Sequence, residues 1–340
     1  MTASPPRRKR ATVHDVAREA GVSRGTISRH LTGEGYVSAE AREAIDAAIR
    51  KVGYVPSQTA RNLVRQRTNA VGFVVHEPHR LFLEDPNIGE ILLGANEALS
   101  EADYQLVCLV IGSDRDGERV ARYLRGGFVD GAVVVSARAN DPITRVMRTA
   151  QLPVAFVGHP PDLQDQSWVG IDNVSSARDI TARLLATGRR KVGMIAAALD
   201  RDSGADRLAG FTDALGDRFD PALVQPVELY SYSDGAAGMS ALLERVPDID
   251  GVVAASDAVA AGALDALRRA GRRVPEDVGL VGFDDSAWAL RCTPQLSTVR
   301  QPAAGLGRAA ARSVLAQIAG DQPEPAAILL DTPVVWRDSA

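Results

Sequence analysis

The chain has 340 residues, 45% of them hydrophobic, enough for two or three domains with large buried cores. No apolar run approaches the ~18–20 residues of a membrane span, and the two cysteines, Cys108 and Cys292, argue against a disulfide scaffold and suit a cytoplasmic protein. The net charge of −4 is uneven: residues 1–67 hold 13 Lys and Arg against 6 Asp and Glu, a net +7, and the remainder 26 against 37, a net −11. A basic head on an acidic body suits a nucleic-acid module joined to a body that should stay off DNA.

Residues 1–11 are rich in Pro and Arg and read as a disordered basic tail. No apolar stretch follows Arg7-Arg8-Lys9-Arg10, so this is not a secretory signal. From Thr12 to Gly33 the pattern changes. Thr12 and Asp15 have capping-box spacing, with Asp in place of the usual Glu or Gln. Val13, Val16, Ala17 and Ala20 then make one apolar helix face, and Gly21 can end that helix in a left-handed conformation. Ser23 caps a second helix with Ile27 and Leu31 inward and Arg24, Gly25, Ser28 and Arg29 outward. Two short helices, a turn containing Gly and a polar outer face describe a helix-turn-helix, whose second helix enters the DNA major groove. A third helix from Ser38, with Ile45, Ala48, Ile49 and Val52 on one face, should close this domain over residues 12–55. Residues 56–68 read as a linker whose segment 57–66 is too short to be stable alone as a helix.

From Ala70 onward short β-branched runs alternate with helical stretches. Ala70–Val75, Gln105–Ile111, Gly131–Val135, Val154–Val157, Lys191–Ala197, Gly251–Ala255 and Val278–Gly282 are expected as buried parallel strands. Ile88–Ala102, Ser175–Thr187, Arg207–Leu215 and Asp257–Ala270 are expected as helices, with Gly188 and Gly271 just past two of them. This alternation predicts doubly wound α/β sheets. A faint repeat links Val129-Asp130-Gly131 through Ser136 with Ile249-Asp250-Gly251 through Ser256. It fits two similar lobes whose strand ends face one cleft.

Asp15-Val16-Ala17, Ala20-Gly21-Val22-Ser23 and Thr26-Ile27-Ser28-Arg29 resemble the signature of the lactose/purine repressor (LacI/GalR) family, and the likeness covers nearly the whole chain. The resemblance implies an all-α helix-turn-helix domain followed by a two-lobed, periplasmic-binding-protein-like core over 69–340. Lobe 1 would hold about 69–157 and 302–330, and lobe 2 about 158–299 and 331–340, with crossings near Gly158, Arg300 and Asp331. It implies a hinge helix that orders on operator DNA, with Leu63 wedged into a central base step of the minor groove. Arg29 matches the family's base-reading arginine and is suited to a bidentate contact with guanine. Arg24 and Gly25 occupy its specificity positions, while Ser23, Thr26 and Ser28 suit phosphate contacts or capping. Thr32 departs from the family's usual Asn, so the usual phosphate contact is not assigned to it.

In the cleft, the resemblance implies effector contacts for Arg207 and Asp284, with Ser256 and Asp257 standing where sugar-binding members carry Asn-Asp. Phe156, Gln301 and Ser136 complete the candidate set, and His76, Trp168 and Tyr232 are further pocket candidates. Asp accepts from two hydroxyls, Arg donates to others and Phe offers an apolar face, which suits a sugar. Each also has a structural role to fall back on: a cap, a loop anchor or a core position. Ser256 lacks the amide of Asn and leaves the exact ligand open.

The function these features point to is a transcriptional regulator. It would be a dimeric, nucleoid-associated repressor bound to double-stranded, pseudo-palindromic operator DNA and released by a sugar. No C-terminal heptads suggest a tetramer. A regulator with a purine or other corepressor is the alternative within the class. A solute-binding protein is the alternative outside it, opposed by the basic head. An enzyme is disfavoured, since Asp284-Asp285 sit in one loop and no catalytic triad, metal cluster or phosphate loop stands out, and no cofactor is expected.

Overall fold

The computed structural model describes residues 11–32, 35–54, 67–138, 142–149, 152–159, 165–321 and 325–340. The chain divides into two units, Met1–Thr68 and Asn69–Ala340. Leu63 and the expected hinge helix lie outside the described residues.

In the first unit α1 (Val13–Ala20), α2 (Arg24–Thr32) and α3 (Ala39–Val52) follow the expected boundaries closely. The Asp15 carboxylate accepts from both the Thr12 amide (2.9 Å) and its hydroxyl (2.8 Å), which fixes the first turn of α1. Gly21 ends α1 at φ 66°, and its N–H donates to the Ala17 carbonyl. Ser38 caps α3 by accepting from the Ala41 amide. Val16, Ile27 and Ile45, one from each helix, are wholly buried, with Ala17, Val37, Ala48 and Tyr54 around them. Across the outside, Lys51 bonds Glu19 and His30 bonds Asp46, so α3 is tied to both other helices.

The second unit has two lobes. Lobe 1 is built on β1 (Ala70–His76), β2 (Gln105–Ile111), β3 (Gly131–Val135), β4 (Val154–Val157), β5 (Ser167–Ile171) and β11 (Ala327–Leu330). They form one parallel sheet in the order β11-β5-β4-β3-β1-β2. Alternation sorts its side chains. Val71, Phe73 and Val75 join the cluster under α5 (Pro86–Glu101) and α13 (Ala303–Ala319). Val74, Val134 and Phe156 face α6 (Asp114–Arg125) and α7 (Pro142–Thr149). Helices on both faces explain why β3 is buried at every residue. The α5–α13 contact is close: a Cβ on Gly94 would lie 1.9 Å from the Ala304 carbonyl oxygen, and one on Gly307 1.9 Å from that of Ile91.

Lobe 2 holds β6 (Val192–Ala197), β7 (Val224–Val227), β8 (Gly251–Ala254) and β9 (Gly279–Val281), parallel in the order β7-β6-β8-β9. Its helices pack in pairs, α8 (Asn173–Ala186) with α9 (Asp202–Leu215) and α10 (Tyr232–Arg245) with α11 (Asp257–Arg269). Short α4 (His79–Glu84) and α12 (Ala287–Arg291) sit in loops, and β10 (Thr298–Val299) pairs antiparallel with β12 (Val334–Val335). The two lobes are built alike at the faint repeat. Asp130 accepts from the Asn69 amide (2.8 Å) as the chain enters β1, and Asp250 accepts from the Lys191 amide (2.8 Å) as it enters β6.

One lobe boundary needs correction. The first crossing, expected near Gly158, is at Asp172, because β5 pairs with both β4 and β11 and stays in the sheet of lobe 1. The chain leaves lobe 2 again after β10 and re-enters it after β11. Strands β5, β7, β10, β11 and β12 and helices α4, α6, α7, α10 and α12 are additions to the expected elements. Among the described residues no helix is long and apolar enough to cross a membrane, and no His, Cys, Asp and Glu cluster could hold a metal ion.

Candidate functional site

On α2 the side chains expected to read DNA share one exposed face. Ser23, Arg24, Gly25, Ser28 and Arg29 are exposed and Thr26 is half-buried, while Ile27 beneath them is wholly buried. Ser23 caps the helix by accepting from the Thr26 amide at 3.1 Å. Its hydroxyl also lies 2.9 Å from that of Thr26. Arg24 is held against His14 of α1 (2.8 Å), and Arg29 Nε donates to the Gly25 carbonyl at 3.3 Å. Two guanidinium groups are thus presented one turn apart on a rigid scaffold, the geometry a major-groove helix uses.

The second site lies between the lobes, at the carboxyl ends of their strands, where open α/β sheets bind ligands. It is a cavity of about 110 Å³. Lobe 1 contributes Asp85 and Asn87 from the start of α5, Ser136 after β3, and Val157 and Gly158 at the end of β4. Lobe 2 contributes Asn173, Arg201, Asp202, Ser203, Arg207, Tyr230 and Asp284, with Gln301 where the chain recrosses.

Arg207 is the most constrained of these. Its Nε donates to Asn173 Oδ1 (2.9 Å), Nη1 to the Ala255 carbonyl (2.6 Å) and Nη2 to Gln301 Oε1 (3.3 Å). Nη2 also lies 3.6 Å from Asp284 Oδ1, and the guanidinium stacks 3.6 Å from the centroid of the Phe283 ring. Asp284 sits in a turn where it and Asp285 have φ of 116° and 55°, values few non-glycine residues adopt. Asp285 holds that turn by accepting from Arg300 (2.7 Å) and Arg337 (2.5 Å). Asp284 is left facing the cavity, where Asn87 of lobe 1 hydrogen-bonds its side chain. Burial raises the Asp284 carboxyl well above the usual carboxylate range against the pull of Arg207. Asp85 caps α5 by accepting from the Asn87 amide (2.9 Å), and burial pushes its pKa up to about 6.

A separate set of charges ties the lobes together. Glu77, at the end of β1, grips Arg201 of lobe 2 with both carboxylate oxygens, and their side chains are 1% and 4% exposed. Arg138, after β3, reaches Asp200 at 3.4 Å. His159, after β4, donates its amide to Asp202 (2.5 Å) and bonds Asp206 through Nε2 (2.8 Å). The Asp206 bond raises the His159 pKa to about 9.

The cavity therefore brings together four of the seven expected residues: Arg207, Asp284, Gln301 and Ser136. Phe156 is not among them. Alternation along β4 turns it to the opposite face of the sheet, into the cluster with Val74 and Val134. Ser256 is the N-cap of α11, accepting from the Val259 amide, and does not line the cavity. Asp257 is wholly buried behind the cavity, where it accepts from Thr298 (2.7 Å) and the Ser286 amide (2.7 Å) and so anchors the turn that carries Asp284. His76, Trp168 and Tyr232 do not line the cavity; Trp168 packs on His159 and Tyr232 stacks on Trp288. Asp85, Asn87, Asn173, Arg201, Asp202, Ser203 and Tyr230 are additions. An Asp-Pro helix start at 85–86 was the one local hint, since Asp-Pro places a capping carboxylate at a helix mouth.

Comparison with known proteins identifies the two parts of the chain. Residues 12–57 match "Bacterial regulatory proteins, lacI family", and residues 181–340 match "Periplasmic binding protein-like domain". The HTH-type transcriptional regulator CelR of Thermobifida fusca is 40% identical over 98% of this chain and 99% of its own length. The HTH-type transcriptional repressor PurR of Escherichia coli is 28% identical over 97% and 96%. Among solved structures, a CelR–cellobiose complex is 38% identical, covers 97% of this chain and 100% of its own, and superposes with a TM-score of 0.78. A lac repressor dimer on operator with an anti-inducer has a TM-score of 0.85 at 23% identity, over 97% and 99%, a likeness of fold.

Proposed function

Because this chain belongs to the LacI family of bacterial transcriptional regulators, we propose that it is a homodimeric repressor of a pseudo-palindromic operator, released by a sugar bound between its lobes. Arg29 reads guanine O6 and N7, and Arg24 beside side-chain-free Gly25 sets the rest of the half-site preference. Ser23, Thr26 and Ser28 position the helix on phosphates. The linker 56–68 supplies the hinge, with Leu63 as the minor-groove wedge. The repressor works in the cytoplasm, at the nucleoid, and its cleft binds its ligand without transforming it.

The observation that carries the ligand half is the buried constellation of Arg207, Asp284, Gln301 and Asn87, which offers fixed donors and acceptors from both lobes to vicinal hydroxyls. A sugar gripped from both sides favours one relative arrangement of the lobes. It can act on DNA only if that arrangement and the operator-bound one differ in affinity for it. Cellobiose, the ligand in the CelR complex, is the first sugar to test. In an operator-binding titration by fluorescence anisotropy, cellobiose should weaken binding. A sugar that tightens it would make the effector a corepressor and overturn release.

A further inference from the structure

Three helices open onto the cavity with their first turns, and such ends are ready-made sites for phosphate. Here each is already met by a carboxylate of the chain itself. Asp85 caps α5, Asp172 caps α8 by accepting from the Ser175 amide (2.8 Å), and Asp202 opens the first turn of α9. The cavity wall among the described residues carries three carboxyl groups, Asp85, Asp202 and Asp284, against two guanidinium groups, Arg201 and Arg207. Neither cation is spare. Arg207 lies against Asp284, which matches its charge, and donates three of its five N–H groups to Asn173, Ala255 and Gln301, so it can still bond a hydroxyl but has no charge to spare for an anion. Arg201 is gripped by Glu77. Its Nε is buried without a hydrogen bond and lies 3.8 Å from Asp200, so the Arg201 charge is matched by Glu77 and Asp200.

We infer that the cleft selects an uncharged sugar and rejects the same sugar once it is phosphorylated or oxidised to an acid. The inference rests on the sugar-binding reading above and names the charge class of its ligand. A neutral polyol finds acceptors in Asp85, Asp284 and Gln301 and donors in Asn87, Ser136 and Arg207. A phosphate group brings a charge of about −1.5 to −2. It meets two helix starts capped by Asp85 and Asp172, a third with Asp202 in its first turn, and no unmatched cation in the cavity wall among the described residues. The same burial that disfavours the charged forms of Asp85 and Asp284 disfavours a phosphate placed beside them, in a setting that screens charge poorly. Repulsion of this kind is how a site separates two ligands that share every hydroxyl but one.

The test titrates the full-length protein at pH 7 with cellobiose, cellobiose 6′-phosphate, glucose and glucose 6-phosphate, by calorimetry and thermal shift. A neutral sugar should bind, its phosphate at least ~100-fold more weakly, and the neutral affinity should hold from about 50 to about 500 mM salt, a span over which the Debye length falls from roughly 14 to roughly 4 Å. A phosphorylated sugar that binds as tightly as its parent overturns the inference while leaving the sugar reading intact. Silence from neutral and phosphorylated sugars alike overturns both. Asp85→Asn keeps a good helix cap and removes one surplus carboxylate. It should narrow the gap between parent and phosphate by about tenfold, and an unchanged gap would remove Asp85 from the argument and overturn the charge-exclusion mechanism.

Discussion

Arg201 and Arg207 stand less than two turns apart where α9 begins, and their surroundings give them opposite work. Arg201 reaches into lobe 1 and closes a fork with Glu77, both side chains almost wholly buried. Arg207 turns back into its own lobe, spreads its bonds over Asn173, Ala255 and Gln301, and meets Asp284 only at 3.6 Å. One guanidinium is spent on holding the lobes together. The other is rigid, stacked on Phe283, and turned to the cavity. A single helix start thus carries both the clamp and the grip. A ligand that engages Arg207 therefore acts on the same helix that sets the angle between the lobes.

The clamp should show the largest effect. Glu77→Gln leaves the Arg201 charge buried and unmatched, which costs about 3–5 kcal/mol in comparable buried pairs. The urea unfolding transition of the core should move down accordingly. Glu77→Leu combined with Arg201→Met should recover most of the loss, since two apolar side chains leave no stranded charge. An unchanged midpoint in Glu77→Gln would mean that water reaches the pair and that it clamps nothing.

Breaking the grip should read out on the ligand. Cellobiose at 100 times its dissociation constant stabilises a single-site binder by about 2.7 kcal/mol. Arg207→Met should abolish that gain and leave operator affinity in the absence of sugar close to the parent value. The converse variant lies in the other unit. Arg29→Ala should weaken specific operator binding by about 1–3 kcal/mol and leave the cellobiose shift whole. If Arg29→Ala also removed the sugar response, the division between a reading head and a sensing body would fail.

What the sequence made legible follows the same division between local and distant causes. The helix-turn-helix could be read because each of its devices spans a few residues: the Thr12–Asp15 box, Gly21 as a left-handed stop, the Ser23 and Ser38 caps. The Asp-Gly repeat was legible because Asp130 and Asp250 perform one local task, holding the amide at the entry to a lobe. Strand β7 was not, since Val224-Gln225-Pro226-Val227 is short and carries a proline that only an edge strand tolerates. Helix α10 was not, because Gly235 and Gly238 weaken its local propensity. The reason for Gly235 lies elsewhere in the chain, as a Cβ there would sit 2.1 Å from the Val259 carbonyl oxygen of α11. The cleft divides likewise. Arg207, Asp284, Gln301 and Ser136 were marked by the family resemblance, which carries the position of a cleft that the local residues do not show. Asp85, Asn87 and Arg201 owe their place to two lobes meeting, which no window of sequence contains. Phe156 was misplaced by one step of a period-two pattern, and Ser256-Asp257 serves the turn that carries Asp284 from behind it.

The smallest effect belongs to His159, a half-exposed member of the cross-lobe set, and it sharpens the comparison by adding pH. The bond to Asp206, aided by Asp202, raises the His159 pKa from its ordinary 6.5 to about 9, so the folded protein holds this proton more tightly than the unfolded chain. Its contribution is fully present below about pH 6.5 and is lost as pH rises through about 9. Asp85 and Asp257 are shifted upward by burial, to about 6 and about 7, so their own losses fall mostly below this window. His159→Gln keeps a side-chain donor and removes the charge. The stability difference between parent and variant should be level below about pH 6.5, shrink across the window and vanish above about pH 9. The side chain is 40% exposed, so solvent screens the ion pair and the slope should be shallow. A difference that persists unchanged through pH 9 would mean that His159 acts on Asp206 as a neutral hydrogen-bond partner, and the clamp would then rest on Glu77 and Arg201 alone.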